Sequence, residues 1–313
     1  MPDTPLFEKM ALIGVGLIGS SIAHGARKHG LVGHISATAR SEETRRIVAE
    51  QNIADTVFET GPEAVASADL IVICTPVGAF GRVAADIGPH IAPGAIVTDV
   101  GSVKEAVVRD VKPHLAEGVH LVPGHPVAGT ENSGPESGFA ELFEDRWCIL
   151  TPEADTDPDA TAKLNAFWKA LGSRVEEMTP QHHDLVLAIT SHVPHLIAYN
   201  IVGTAADLET VTESEVIKFS AGGFRDFTRI AASDPTMWRD VFLNNKEAVL
   251  EMLGRFNEDL SALQRAIRWS DGDALFDLFS RTRAIRRSII DAGQETEAPD
   301  FGRPHGQDDE TGN

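Results

Sequence analysis

Five short apolar runs, separated by amphipathic stretches, dictate what the first half of this chain can become. KMALIGVG, HISATA, DLIVICTP, AIVTDVG and VHLVPG place apolar residues at successive rather than alternate positions, as strands buried on both faces do. The stretches between them, 17–28, 42–50, 78–87 and 103–115, repeat apolar residues at helical spacing. This alternation predicts a parallel sheet covered by helices. Two more strand-like segments, RWCILTP and RVEEMTP, flank a helix-like stretch at 157–171 and are expected to complete that sheet.

The texture changes at Pro180. Strand-like runs stop, and helical patterns occupy 183–206, 213–219, 235–268 and 271–292. The sequence therefore divides into an α/β domain over 1–179, an all-helical domain over 180–293 and a tail over 294–313. The tail is rich in Glu, Asp, Gly and Pro, almost without apolar residues, and reads as disordered. An all-helical domain buries apolar faces well against a copy of itself, which predicts a homodimer.

Acidic residues outnumber basic ones by 47 to 27, a formal net charge of −20. Such a field repels phosphates, so general nucleic-acid and anionic-membrane binding are not expected. An anionic ligand would need a local cluster of cations, which makes the scarce Arg residues informative. The opening MPDTPLFEK has no signal-peptide pattern, and no apolar run approaches the roughly 18 residues of a membrane span, so a cytoplasmic protein is expected. Cys74 and Cys148 lie in apolar runs and read as buried reduced thiols.

Gly14-Val15-Gly16-Leu17-Ile18-Gly19 follows the first strand and opens the first helix, the context in which G-x-G-x-x-G marks a Rossmann dinucleotide site. Gly14 permits the tight turn, Gly16 lets backbone approach a pyrophosphate, and Gly19 allows close packing of helix on strand. The second strand ends Ala39-Arg40-Ser41, with no acid to bind a ribose 2′-hydroxyl. Arg40 and Ser41 suit a 2′-phosphate, which favours NADP and keeps NAD as the alternative. Arg45 and Arg46 lie one turn further on. Thr75-Pro76 ends the LIVIC strand and is placed near the nicotinamide ribose.

Three other segments concentrate polar groups. In DVGSVK, Ser102 either caps the helix starting at Val103 or serves chemistry. In GHPVAGTE, His125 stands in a glycine-flanked turn. In TSHVPH, His192 and His195 share a helix face, but H-E-x-x-H and a Cys pair are both missing, so no metal is expected.

GVGLIGSS, TPV, DVGSVK, GHPVAGTENSG, SHVPH and GGFRDFTRIAASDPTMWRD, in that order, resemble the prephenate dehydrogenase family over roughly residues 8–290. The resemblance implies a Rossmann domain followed by a helical dimerisation domain. It also implies NAD(P)-dependent oxidation of a cyclohexadienol, prephenate or arogenate, with loss of CO2 in tyrosine biosynthesis. It makes His125 the catalytic base and Ser102 its hydrogen-bonding partner. It assigns Arg229 to the substrate carboxylate and His195 to the side chain, with Trp238, Thr130, Glu131, Gly222 and His192 around the pocket. Aromatisation drives decarboxylation, so no metal is called for. The folded chain is expected to end near Ala292, without a regulatory domain. Two other readings stay open: a related β-hydroxyacid dehydrogenase or imine reductase, and a nicotinamide-binding sensor without turnover.

Overall fold

The computed structural model describes residues 4–130, 132–212 and 222–291. Glu131, the helix expected over 213–219 and the tail over 294–313 lie outside the described residues. By internal contacts the chain forms two units, one reaching Val249 and one starting at Leu250.

In the first unit, β1 (Phe7–Ile13), β2 (Val32–Thr38), β3 (Thr56–Phe58), β4 (Leu70–Ile73), β5 (Ile96–Asp99) and β6 (His120–Leu121) form one parallel sheet in the order β3-β2-β1-β4-β5-β6. Chain order reverses between β1 and β4, which opens a crevice at the carboxyl ends of the strands. The register places Thr38 beside Ile13, Ile13 beside Ile73, and Ile73 beside Asp99. These four strands thus end on one row, and the polar segments that follow them emerge along one edge.

The two faces of the sheet carry separate cores. Met10 and Leu12 of β1 pack with Ile35, Leu70 and Val72 beneath α1 (Leu17–Lys28) and the later helix Pro158–Ala170, which adds Phe167 and Trp168. Ala11 and Ile13 point the other way. With Ile71, Ile73 and Val97 they meet Phe80 and Ala84 of the helix Phe80–Ile87 and Val107 of the helix Glu105–Val111. Alternate residues of each strand therefore serve opposite cores, and neither face meets water. Three-residue β3 is too short to stand out by composition, which is why the apolar pattern missed it.

The expectation for RWCILTP and RVEEMTP is corrected. They form β8 (Trp147–Leu150) and β9 (Arg174–Glu177) of a separate three-stranded sheet with β7 (Gly124–Pro126). β7 and β8 run antiparallel, with His125 opposite Ile149. VHLVPG is therefore not one strand. Pro123 has no N–H to extend the parallel ladder, and the Gly124 N–H donates instead to Asp99 Oδ1 at 3.2 Å.

That break is held by a buried ion pair. Lys104 Nζ donates to Asp99 Oδ2 at 2.5 Å and to the Gly124 carbonyl at 2.6 Å, with neither side chain reaching solvent. The Gly101 N–H donates to the same Asp99 oxygen at 2.7 Å. Burial pushes the Asp99 carboxyl up and the Lys104 ammonium down, and each partner opposes the other's shift.

From Pro180 the chain is helical: Pro180–Leu187, a π-turn at Ala188–His192, and Val193–Thr212. Pro180–Leu208, 29 residues, holds an 18-residue window with a mean hydropathy of 1.5 and is, by length and composition, long and apolar enough to cross a membrane. This corrects the sequence expectation that no such segment exists. Its apolar residues are dispersed among polar ones, so no continuous run betrays it. His183, Asp184 and His192 are buried along it, and His183 and Asp184 bond to His125, Lys104 and Glu105. The expected 235–268 helix is broken at Asn245 into Pro235–Asn244 and Lys246–Arg268, followed by Gly272–Asp291.

Removing one partner of a buried ion pair costs about 3–5 kcal/mol. Lys104→Met should lower the unfolding free energy in urea by about that amount, and adding Asp99→Asn should recover part of it.

Candidate active site

The crevice edge is built first by the glycine turn. Gly14 follows β1 at φ +90°, a conformation that favours glycine. A Cβ at Gly19 would sit 2.9 Å from the Gly14 carbonyl, closer than side chains come, so the helix can lie on the strand only with glycine there. A Cβ at Gly16 would project into open space. Gly16 also begins α1 without a side-chain cap, leaving the N–H groups of the first turn, at Leu17 and Ile18, for an anion. Thr75 lies against Gly14, and its buried Oγ1 has no hydrogen-bond partner among the described residues. Pro76 is exposed beside it. An uncapped helix terminus, room at Gly16 and a polar atom awaiting a partner fit a dinucleotide.

At the end of β2, Arg40 is exposed and pairs with no acid among the described residues. Ser41 caps the helix Glu42–Glu50, its Oγ accepting from the Thr44 N–H at 3.1 Å. Arg45 is tied to the Ala39 carbonyl at 2.7 Å and braces the loop, while Arg46 pairs with Glu50. The basic patch thus reduces to Arg40.

His125 is buried at the start of the second sheet. Its Nδ1 lies 2.8 Å from His183 Nε2, and His183 Nδ1 lies 2.8 Å from Asp184 Oδ1. Asp184 accepts from the backbone N–H of Lys104 at 2.7 Å and of Glu105 at 3.0 Å. Its carboxylate therefore caps the Glu105–Val111 helix, the task the sequence offered to Ser102. Ser102 is half-buried, and among the described residues the Nδ1 of His125 takes His183 rather than Ser102 as its partner. Burial, together with the neighbouring His183, Lys104 and His192, holds His125 well below the usual imidazole range. Burial also takes His183 down to about 2. Both rings are neutral at pH 7.

The substrate-side residues gather around the π-turn. His192 is fully buried, with Nδ1 3.0 Å from Asn245 Nδ2, and Asn245 also donates to the Asp184 carbonyl at 2.9 Å. Burial carries His192 to about 4. One turn on, His195 stacks on Trp238, centroids 3.7 Å apart and planes at 24°. His195 Nδ1 bonds the Ser191 carbonyl at 2.9 Å, so the two rings are held by different partners. Burial lowers the His195 pKa, the bond to the Ser191 carbonyl opposes that, and the charge of Arg229 lowers it further. Arg229 itself is exposed and pairs with neither Asp226 nor Asp234. Tyr199 Oη, four residues along the helix from His195, donates to the Ser233 carbonyl at 2.6 Å and fixes the short turn that carries Arg229. Trp238 Nε1 is buried without a partner among the described residues.

Thr130 Oγ1 accepts from the Asn132 N–H at 3.2 Å, and Gly222 opens an exposed helix, Gly222–Thr228; neither joins this cluster through a bond. The residues that sequence reasoning missed are His183, Asp184, Lys104, Asp99 and Asn245. Asp99 and Lys104 stood in the DVGSVK motif and His183-Asp184 at a helix start, but nothing in their spacing showed that they meet.

Residues 22–177 match prephenate dehydrogenase, nucleotide-binding domain, and residues 179–281 match prephenate dehydrogenase, dimerization domain. The chain belongs to the prephenate dehydrogenase family. A cyclohexadienyl dehydrogenase of Zymomonas mobilis is 41% identical over 284 residues, 91% of this chain and 97% of that protein. The prephenate dehydrogenase of Bacillus subtilis is 32% identical over 90% of this chain and 76% of its own length. The crystal structure of prephenate dehydrogenase from A. aeolicus in complex with hydroxyphenyl propionate and NAD+ superposes with a TM-score of 0.84 at 34% identity, covering 90% of this chain and 98% of that one. Synechocystis arogenate dehydrogenase follows at 0.76 and 27%, covering 90% and 99%. As a prephenate dehydrogenase family member, this chain is an oxidoreductase with a nucleotide-binding Rossmann domain and a helical second part. The β-hydroxyacid dehydrogenase and imine reductase readings fall with that membership.

The buried histidines set an acid limit on stability. A histidine near 6.5 when unfolded and about 4 when folded, as His192 is, gives its full contribution above pH 6.5 and loses it as pH falls toward 4. The slope is about 1.4 kcal/mol per pH unit per group. The decline in unfolding free energy between pH 6.5 and 4 should be shallower in His192→Gln by roughly one proton's worth, as measured by urea titrations at stepped pH.

Proposed function

We propose that this chain is a cytoplasmic cyclohexadienyl dehydrogenase of tyrosine biosynthesis. It oxidises prephenate, arogenate or both with loss of CO2, and it favours NADP over NAD. The observation that carries this reading is His125: buried and neutral, with Nδ1 engaged by His183 and no hydrogen bond to its Nε2 among the described residues. A non-catalytic sensor has no use for a base held that way.

The nicotinamide, when bound, accepts a hydride from the ring carbon bearing the substrate hydroxyl. The turn that Gly14 and Gly19 shape, with Gly16 and the N–H groups of Leu17 and Ile18, would hold the pyrophosphate, and Thr75 and Pro76 would serve the ribose. His125 Nε2 takes the hydroxyl proton as the hydride leaves. The resulting dienone loses CO2, and the ring becomes aromatic. Arg229 binds a substrate carboxylate, with His195 stacked on Trp238 beside it and His192 behind; Ser102, Thr130, Gly222 and Glu131 complete the pocket by family resemblance. Arg229, without an acidic partner among the described residues, answers the problem posed by a charge of −20, since it sets a local cation against the protein's own field. Arg40 and Ser41 favour a 2′-phosphate, while the NAD+ bound by the Aquifex aeolicus relative keeps NAD within reach.

The homodimer forms through the helical part. Supporting this, Phe276, Phe279 and Ile285 are exposed on Gly272–Asp291, and Ile201 and Val202 on Val193–Thr212. Large apolar residues grouped on helices are what a self-complementary interface needs.

Steady-state nicotinamide reduction with prephenate and arogenate, each crossed with NADP and NAD, tests the reading. Turnover in any pair is expected, and none in all four would overturn it. His125→Asn should lower kcat by about 10²–10⁴-fold with cofactor affinity kept. Arg40→Ala should raise KM for NADP by about 10-fold or more and leave KM for NAD nearly unchanged, since a charge-assisted hydrogen bond is worth about 1.5–3 kcal/mol.

A further inference from the structure

We propose that His183 and Asp184 are positioning residues that select the tautomer of His125, reserving its Nε2 as the lone-pair nitrogen. The proposal rests on the reading of His125 as the base.

The three side chains form an unbroken buried line. His125 is 7% exposed, His183 0% and Asp184 1%, so water does not compete for their bonds. Both Asp184 oxygens already accept backbone N–H groups, from Lys104 and Glu105. A carboxylate so engaged has only acceptor capacity to offer its third neighbour. His183 Nδ1 must then carry the proton it shares with Asp184 Oδ1. Neutral imidazole has one N–H, so His183 Nε2 is an acceptor. His125 Nδ1, 2.8 Å away, must therefore be the donor. One choice at Asp184 propagates through two rings and leaves His125 Nε2 unprotonated.

The opposite pattern needs a protonated Asp184 donating to His183. Burial does push the Asp184 carboxyl up, but the two N–H groups and the charge of Lys104 act against it. The other charged and titratable groups facing this line are committed elsewhere: Lys104 to Asp99, and His192 to Asn245. When His125 takes the substrate proton at Nε2, its Nδ1–H stays on His183, and the new positive charge is stabilised along the line toward the Asp184 carboxylate. No proton moves beyond His125. The helix cap and the catalytic base thus share one carboxylate, which the sequence alone gave no reason to suspect.

Asp184→Asn replaces one acceptor oxygen with a donor, so either a backbone N–H is left facing another donor or the His183 ring reverses. The variant should fold, bind cofactor with wild-type affinity by fluorescence titration and keep KM within about threefold, while kcat falls by about 10²–10⁴-fold. The acidic limb of its kcat/KM profile should move to lower pH, because the imidazolium loses its distant anion. The second measurement needs no variant: 15N shifts of histidine in the cofactor-free wild-type chain should show His125 protonated at Nδ1. A proton on Nε2 instead would overturn the proposal, as would a folded Asp184→Asn enzyme with wild-type kcat and an unmoved profile. Absence of wild-type turnover with all four substrate and cofactor pairs would overturn the base reading itself. That result is distinct from an active enzyme whose tautomer is the wrong one.

Discussion

The rest of the site depends on the ion pair between Lys104 and Asp99. Five-residue spacing carries Asp99 at the end of a parallel strand and Lys104 at the entry to the next helix, and both charges are closed off from water. In that position they would be costly if either stood alone. Together they hold both the N–H and the carbonyl of Gly124. This ends the parallel sheet at Leu121 and turns the chain into an antiparallel strand. His125 is the next residue, so the clamp that closes one sheet also aims the proposed base into the crevice.

A second constraint ties the helical stretch to the same point. Asp184 caps the helix that Lys104 opens, and Asn245 reaches from a later helix to the Asp184 carbonyl and His192. Three elements far apart in sequence therefore share one buried polar network. Burial of the network holds its rings in neutral forms. Among the described residues Thr75 Oγ1, Trp238 Nε1 and the Arg229 guanidinium have no partner, and these are the groups proposed to meet cofactor and substrate.

Much of this was legible in the sequence because it is local. The βα alternation dictates a parallel sheet, and the turn at Gly14 and the close packing at Gly19 follow from the spacing of the glycines. His125, His192, His195, Arg229 and Trp238 were identified through motifs, and burial, stacking and charge coupling bring them together. What could not be read is non-local. His183 lies in the first turn of an ordinary-looking helix, and only the fold sets it against a residue 58 positions earlier. Asn245 looks like a surface residue in a long helical pattern until its break is seen. The cap was sought at Ser102 as one alternative because cap residues normally precede their helix, whereas here the acceptor arrives from another helix. The second sheet was missed because Pro123 and the Asp99 contact, not hydrophobic pattern, decide where a strand stops.

The π-turn at Ala188–His192 separates the scaffold from the site in a way that point substitutions do not. A π-turn accommodates one residue more than the α-turn it replaces, while the helix on either side keeps its phase. Removing a single residue there would leave the outer turns, with their apolar faces, in register with their neighbours. It would rewind only the segment that presents His192 and leads into His195. At this one place the chain can shorten without refolding, and the same deletion would dismantle the pocket: the inserted residue belongs to the chemistry and not to the fold.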